Sequence, residues 1–263
     1  MGASPPLTRA IVELRFGEPC TKDEAIPALP GAAAPLDHQG PSMSDFSTAR
    51  QNMVDCQVRP SDVTDLRIVD AMLAVLREVF VPERQRALAY LDLDVEVSEG
   101  GSARRFLIKP AVIAKMLQAA EIKDTDSVLV AGCATGYAAA LAARLAGRVT
   151  ATEGDPSLAA KAREVLVPLG LERVTVRAAD PAEGDPANAP YDVIVLDGAT
   201  EITPDRLYGQ LKEGGRLVGV FAMTQPPRAM IVTRSHGDFG SRALFDASAP
   251  VLPGLERRPA FVF

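Results

Sequence analysis

The spacing of hydrophobic positions indicates that the first half of the chain is mainly helical. Apolar residues recur at helical spacing in three stretches before residue 121, namely 45–59, 62–80 and 110–120. The second stretch is predicted to begin at an N-cap formed by Thr64, and the third begins with Pro110, a residue suited to a first helical position. Residues 91–98 alternate apolar with acidic side chains, as an edge strand does.

From residue 121 onward, short apolar runs alternate with helical stretches. The run from Val128 to Ala131 is bounded by polar residues and then by glycine, which is typical of a buried parallel strand. Residues 138–146 are rich in alanine and leucine, both strong helix formers. Further strands are predicted at 148–152, 173–178, 191–196, 216–222, 229–234, 242–245 and 260–263, and helices at 156–169 and 207–211. This alternation predicts a doubly wound α/β domain.

Composition and periodicity divide the chain into three parts. Residues 1–42 are rich in proline, glycine and alanine, so we expect a flexible N-terminal extension there. Residues 43–120 are predicted to form an N-terminal helical subdomain, and residues 121–263 the α/β domain.

Charge and rare residues exclude several classes of protein. Of the 263 residues 47% are hydrophobic, and the net charge of −6 disfavours a general nucleic-acid binder. No apolar run approaches the length of about 18 residues that a membrane span needs. The cysteines, Cys20, Cys56 and Cys133, are odd in number and lack metal-ligand spacing, which predicts a cytoplasmic protein without a metal site. Only His38 and His236 could serve as histidine bases, so the chemistry should need little help from one.

A glycine-rich turn followed by an acid predicts a nucleotide site. Gly132 and Gly136 bracket the turn after the strand at 128–131, where glycines let the backbone approach a ligand closely. Glu153 ends the next strand about 20 residues later, at the spacing of an acid that accepts hydrogen bonds from ribose hydroxyls. The alternative is an ordinary strand–turn–helix joint with a solvated acid.

Several runs in a fixed order resemble the protein-L-isoaspartate O-methyltransferase family of S-adenosyl-L-methionine (SAM)-dependent enzymes. They span residues 53–220 and are Met53-Val54-Asp55, Phe80-Val81-Pro82, Ala89-Tyr90-Leu91-Asp92, Pro110 to Met116, Gly132 to Tyr137, Ala189 to Ile194 and Gln210 to Val218. The resemblance implies a Rossmann-like seven-stranded sheet of the class I methyltransferase type. It also implies SAM as cofactor and a protein or peptide substrate, methylated on the carboxylate of isoaspartyl residues in damaged proteins.

The resemblance also assigns roles to cofactor-binding residues. It places the turn residues Gly132, Cys133, Ala134 and Gly136 around the methionine part of SAM, Glu153 on the ribose and Asp180 on the adenine amino group. Ala134 stands where the family usually has glycine. Alanine is expected to keep the turn only with helical or extended dihedrals, so the turn should be slightly rebuilt.

The substrate loop departs from the family pattern. Phe106 and Ile108 occupy the positions of the threonine and serine whose hydroxyls hold the substrate carboxylate in the family. We hypothesise that Arg104, Arg105 and Lys109 hold the acceptor anion instead; the alternative is that they are solvated loop charges. A carboxylate acceptor is already ionised at neutral pH and needs no general base.

Two other functions remain open at this stage. One is methyl transfer to a different acceptor. The second is a protein that binds SAM or its product S-adenosyl-L-homocysteine (SAH) but has lost isoaspartyl activity. Metal-assisted O-methylation through Asp197, at the end of the fourth strand, is discounted because this single acid has no clear partner ligands in the sequence.

Overall fold

The computed structural model describes residues 43–100 and 103–258. The expected N-terminal extension (1–42) and the strand predicted at 260–263 lie outside the described residues. The α-helices of the described part are α1 (Met43–Met53), α2 (Leu66–Ala74), α3 (Pro110–Ala120), α4 (Tyr137–Leu145), α5 (Pro156–Leu166) and α6 (Asp205–Tyr208). Its strands are β1 (Val95–Glu96), β2 (Phe106–Leu107), β3 (Ser127–Ala131), β4 (Arg148–Glu153), β5 (Val174–Ala178), β6 (Tyr191–Thr200), β7 (Leu211–Phe221), β8 (Arg228–Ser235) and β9 (Asp238–Asp246).

A seven-stranded sheet in the order β5-β4-β3-β6-β7-β8-β9 forms the centre of the fold. Strands β3 to β7 pair in parallel, and β8 and β9 close one edge in antiparallel fashion. This arrangement confirms the predicted doubly wound α/β class. Strand β3 lies between β4 and β6, so the strand order reverses there and a crevice opens at the carboxyl ends of β3 and β6.

The predicted helix over 62–80 is shorter than its apolar pattern suggests. Asp65, in an extended conformation, caps α2 by accepting from the amide of Arg67, so Asp65 and not Thr64 is the N-cap. At Val75 the backbone is extended again, which ends the helix. A 3-10 turn over Arg77–Phe80 continues the chain.

Buried Arg77 begins the turn that follows this interruption. Its guanidinium donates to the carbonyls of Ala89 (2.7 Å) and Ile108 (2.8 Å), and it lies over the ring of Tyr137 at 4.5 Å from the centroid. Its Nε and Nη2 are thus paired, whereas Nη1 has no hydrogen-bond partner among the described residues. Arg77 thereby joins the main chain at Ala89 to the main chain at Ile108.

The helices of residues 43–120 and the sheet share one hydrophobic core. Met53 of α1, Met72 of α2 and Met116 of α3 are fully buried in the same cluster as Val128 and Val149 of the sheet. The expected strand over 91–98 is reduced to the two residues of β1, which pairs with β2. None of the described helices is long and apolar enough to cross a membrane.

A segment after β9 returns to the parallel part of the sheet. We call residues 248–257 the C-terminal strap. Val251 bridges in parallel to Ala199 of β6, whose amide donates to the Pro250 carbonyl (2.8 Å) and whose carbonyl accepts from the Leu252 amide (2.9 Å). Leu252 and Leu255 are buried in the second apolar cluster of the core. The sequence pattern gave no sign of this return.

Candidate cofactor site

The turn after β3 is built on positive φ angles. Gly132 (φ +74°) and Gly136 (φ +101°) adopt conformations that favour glycine, and Gly136 immediately precedes α4. Ala134 has φ +48°. The expectation of helical or extended dihedrals at Ala134 is therefore wrong. Its amide donates to Glu153 Oε2 at 2.7 Å, a bond that offsets the cost of a left-handed alanine.

Glu153 ends β4 and is saturated with donors from the protein itself. Its carboxylate accepts from the amides of Ala134 (2.7 Å) and Asp155 (3.2 Å). The Arg105 guanidinium adds Nε at 3.2 Å and Nη2 at 3.1 Å. The two side chains are only 2% and 1% exposed, so this is a buried ion pair.

Arg105 has a position that the sequence analysis did not foresee. We predicted it, with Arg104 and Lys109, as a group that holds the acceptor anion. The structure instead turns its guanidinium into the crevice, where Nη2 also donates to the Gly132 carbonyl at 2.6 Å. Because its charge is compensated by Glu153, Arg105 is not available for an acceptor carboxylate in this conformation.

The other residues of the predicted substrate loop lie apart from this pair. Arg104 is exposed, pairs with Glu96 at 2.6 Å and covers the Phe106 ring at 5.1 Å from the centroid. Ile108 is buried. Lys109 is half-buried and directly precedes α3, where its main-chain amide donates to Asp94 at 2.9 Å.

Leu252 of the C-terminal strap fills the space above the turn. A Cβ atom built at Gly132 would lie 2.5 Å from Leu252 Cδ2 and 2.9 Å from Arg105 Nη2. One built at Gly198, in β6, would lie 2.7 Å from Leu252 Cδ2. The chain's own side chains thus fill the crevice between the ends of β3 and β6.

The other end of the crevice remains open. A cavity of about 420 Å³ is bordered by Glu153, Asp155, Asp180 and Pro181, and by Pro253 of the strap. Asp180, which follows β5, is exposed, and its carboxylate accepts from the Ala182 amide at 2.9 Å. The structure thus brings the two acids predicted for a nucleoside to one cavity.

Two buried groups lie near the ion pair. Burial raises the pKa of Asp197 in β6 to about 7, although Arg105 and Arg77 lower it. Its Oδ2 has no hydrogen-bond partner in the described part of the chain. Burial also raises the pKa of the Cys133 thiol. Among residues 43–100 and 103–258, no group of three or more His, Cys, Asp or Glu side chains is placed to hold a metal ion, so Asp197 lacks the partners of a metal site.

Comparison with known sequences points to one family. The family model described as protein-L-isoaspartate(D-aspartate) O-methyltransferase matches residues 48–239. A protein-L-isoaspartate O-methyltransferase 2 of Anaeromyxobacter sp. (strain Fw109-5) is 39% identical over 71% of this chain and 75% of its own length. A protein-L-isoaspartate O-methyltransferase of Rhodopseudomonas palustris (strain ATCC BAA-98 / CGA009) is 37% identical over 78% of this chain and 93% of its own.

Solved structures show the same fold. A protein-L-isoaspartate O-methyltransferase superposes with a TM-score of 0.70 at 23% identity, covering 79% of this chain and 67% of the other. A Plasmodium falciparum protein described as the same enzyme, in complex with SAH, superposes with a TM-score of 0.65 at 17% identity, covering 79% and 97%. At these identities the likeness concerns the fold.

Proposed function

Since this chain belongs to the protein-L-isoaspartate(D-aspartate) O-methyltransferase family, we propose that it is a SAM-dependent enzyme that methylates a carboxylate of isoaspartyl residues in proteins or peptides. The proposal extends to this chain the activity that its relatives carry in their names.

One observation carries the cofactor part of the proposal. Glu153 and Asp180 stand at the carboxyl ends of neighbouring parallel strands, beside the turn that begins at Gly132, and both border one cavity. Parallel α/β sheets bind nucleotides at this edge. SAM would supply the methyl group. Glu153 would accept from the ribose hydroxyls and Asp180 from the adenine amino group, while the turn would contact the methionine part.

The acceptor side requires an anion site and no base. Arg104 pairs with Glu96 at the surface and Lys109 directly precedes α3, and we propose that these two predicted cations hold the acceptor carboxylate. Arg104 can exchange its surface partner Glu96 for a substrate at little cost, because exposed ion pairs contribute only about 0–1 kcal/mol. A carboxylate is ionised at neutral pH, so no histidine is required.

Two assays test this proposal together. Calorimetry with SAH measures cofactor binding, and transfer of labelled methyl to an isoaspartyl peptide, beside the matched aspartyl peptide, measures activity. Asp180→Asn should weaken SAH binding by about 10- to 100-fold, since a hydrogen bond to a charged group contributes about 1.5–3 kcal/mol. Asp238→Asn, which changes an exposed acid of β9, is the control. Unchanged binding by Asp180→Asn would remove Asp180 from the site.

A second pair of variants tests the acceptor. Arg104→Ala should raise the KM for the isoaspartyl peptide and leave SAH binding unchanged. Arg173→Ala, an exposed arginine before β5, should change neither. If Arg104→Ala has the KM of the unmodified protein, the acceptor carboxylate is held elsewhere.

One observation favours a second candidate, a SAM- or SAH-binding protein without isoaspartyl activity. The positions of the family's two hydroxyls are taken by Ile108, which is buried, and Phe106, whose ring lies under Arg104. Each lost hydrogen bond would cost about 1–3 kcal/mol of acceptor binding. SAH binding without methyl transfer to the isoaspartyl peptide would support this candidate over the first.

A further inference from the structure

Two groups of the chain itself occupy the part of the crevice where a methionine chain would reach the turn. Leu252 lies against Gly132 from one side and against Gly198 from the other. Arg105 reaches the same glycine, with Nη2 2.6 Å from its carbonyl oxygen. A ligand that contacts the backbone at Gly132 must displace both groups.

Arg105 also occupies hydrogen-bond acceptor sites of the Glu153 carboxylate. Its Nε and Nη2 donate to the carboxylate of Glu153, and the amides of Ala134 and Asp155 supply two further donors. A ribose hydroxyl would be one more donor to the same two oxygens. The guanidinium therefore stands in for the ribose, and the two exclude each other at Glu153.

The strap is attached to the sheet by a small number of contacts. Its main chain makes four bonds with residues 199–201, joining Ala199 to Pro250 and to Leu252, and Glu201 to Leu255 (2.9 Å) and to the Arg257 amide (2.8 Å). Its buried apolar side chains within the described residues are those of Leu252 and Leu255. Segments with few buried contacts open at lower free energy than the central strands of a sheet. The strap can therefore leave while the sheet stays folded.

The strap also lies outside the part of the chain that matches the family. The family match ends at residue 239, whereas the strap begins at 248. The crevice-forming strands β3, β4 and β6 all lie within the match.

We propose that the C-terminal strap and Arg105 form a built-in competitor for the cofactor. SAM and SAH enter only when Leu252 leaves the Gly132 turn and Arg105 turns away from Glu153. This inference rests on the proposed function, because it concerns the same crevice. The apparent affinity for SAH is then the affinity of the open crevice multiplied by the fraction of molecules in which the strap is displaced.

Calorimetry with SAH on the full chain tests this competition. Leu252→Ala and Leu255→Ala each weaken the attachment of the strap, and each should bind SAH at least about tenfold more tightly than the unmodified protein. The control is Leu217→Ala, which removes a fully buried leucine of β7 in the same apolar cluster but outside the strap. It should bind SAH within about twofold of the unmodified protein, since it does not change the strap equilibrium.

Hydrogen exchange on the unmodified protein gives a readout that needs no variant. The amide of Leu252 donates to the Ala199 carbonyl, and that bond breaks when the strap leaves. Saturating SAH should therefore accelerate exchange at Leu252. Exchange at Val130, in the central strand β3, should not accelerate.

The possible outcomes separate this inference from the proposed function. If SAH binds and Leu252→Ala shows no gain, or exchange at Leu252 does not accelerate with SAH, the competition is refuted and the proposed function stands. If neither the unmodified protein nor any of the strap variants binds SAH, the proposed cofactor is wrong, and the inference falls with it.

Discussion

Replacing Gly132 by alanine should report directly on the closed crevice, without any ligand. The new Cβ would meet Leu252 Cδ2 at 2.5 Å and Arg105 Nη2 at 2.9 Å, while the backbone has φ +74°. Two costs therefore add. A left-handed alanine costs about 1–2 kcal/mol, and overpacking of a filled site costs about 1–3 kcal/mol. Gly132→Ala should lower the free energy of unfolding by about 2–5 kcal/mol.

The chain offers a matched control in Gly214. Its φ is +75°, almost identical to that of Gly132, but a Cβ built there meets nothing within 4 Å. Gly214→Ala should therefore cost only the backbone part, about 1–2 kcal/mol. The difference between the two variants isolates the contact with Leu252 and Arg105.

Urea titration measures both variants, and an unchanged m-value shows that the same unfolding reaction is compared. In the double variant with Leu252→Ala, the clash at Gly132 is partly relieved. The free energy of unfolding lost by the double variant should therefore be about 1–3 kcal/mol smaller than the sum of the losses of Gly132→Ala and Leu252→Ala alone. If Gly132→Ala and Gly214→Ala cost the same within about 0.5 kcal/mol, Leu252 does not lie over the turn and the reasoning is refuted.

Three further outcomes are expected. Glu153→Gln leaves Arg105 buried without its counter-charge and should cost about 3–5 kcal/mol in urea titration; a loss below about 1 kcal/mol would contradict the buried pair. The pKa of Asp197 is raised by burial to about 7, above the value near 3.9 of an unfolded chain. The protonated carboxyl therefore favours the folded state. This contribution to the free energy of unfolding is complete below about pH 4 and is lost as the pH rises through about 7. The unmodified protein should lose stability over this window relative to Asp197→Asn, and parallel curves would oppose this. Iodoacetamide should label exposed Cys56 in the folded protein and buried Cys133 only after unfolding, as peptide mass spectrometry would show; equal labelling would contradict the burial of Cys133.

The sheet was predictable because its physical causes are local. A parallel strand buried on both faces reads as a continuous apolar run, as residues 128–131 do, and Glu153 follows from its distance to the glycine turn. The start of α2 was missed by one residue because Thr64 and Asp65 are both good caps. The amides of both residues donate to Gln118 Oε1, and only the side chain of Asp65 accepts from the Arg67 amide (2.9 Å).

The contents of the crevice depend on contacts that are distant in sequence. Arg104 and Arg105 are adjacent residues of the same type, and the strand geometry before β2 turns one outward to Glu96 and the other inward to Glu153. The strap contains prolines and a glycine and has no helical or strand period, so no local pattern predicts where it docks. Its position is decided by pairing with Ala199.

Chain order gives the strap a consequence for how the protein is made. All strands of the sheet precede residues 248–257, so on the ribosome the crevice is synthesised before the segment that closes it.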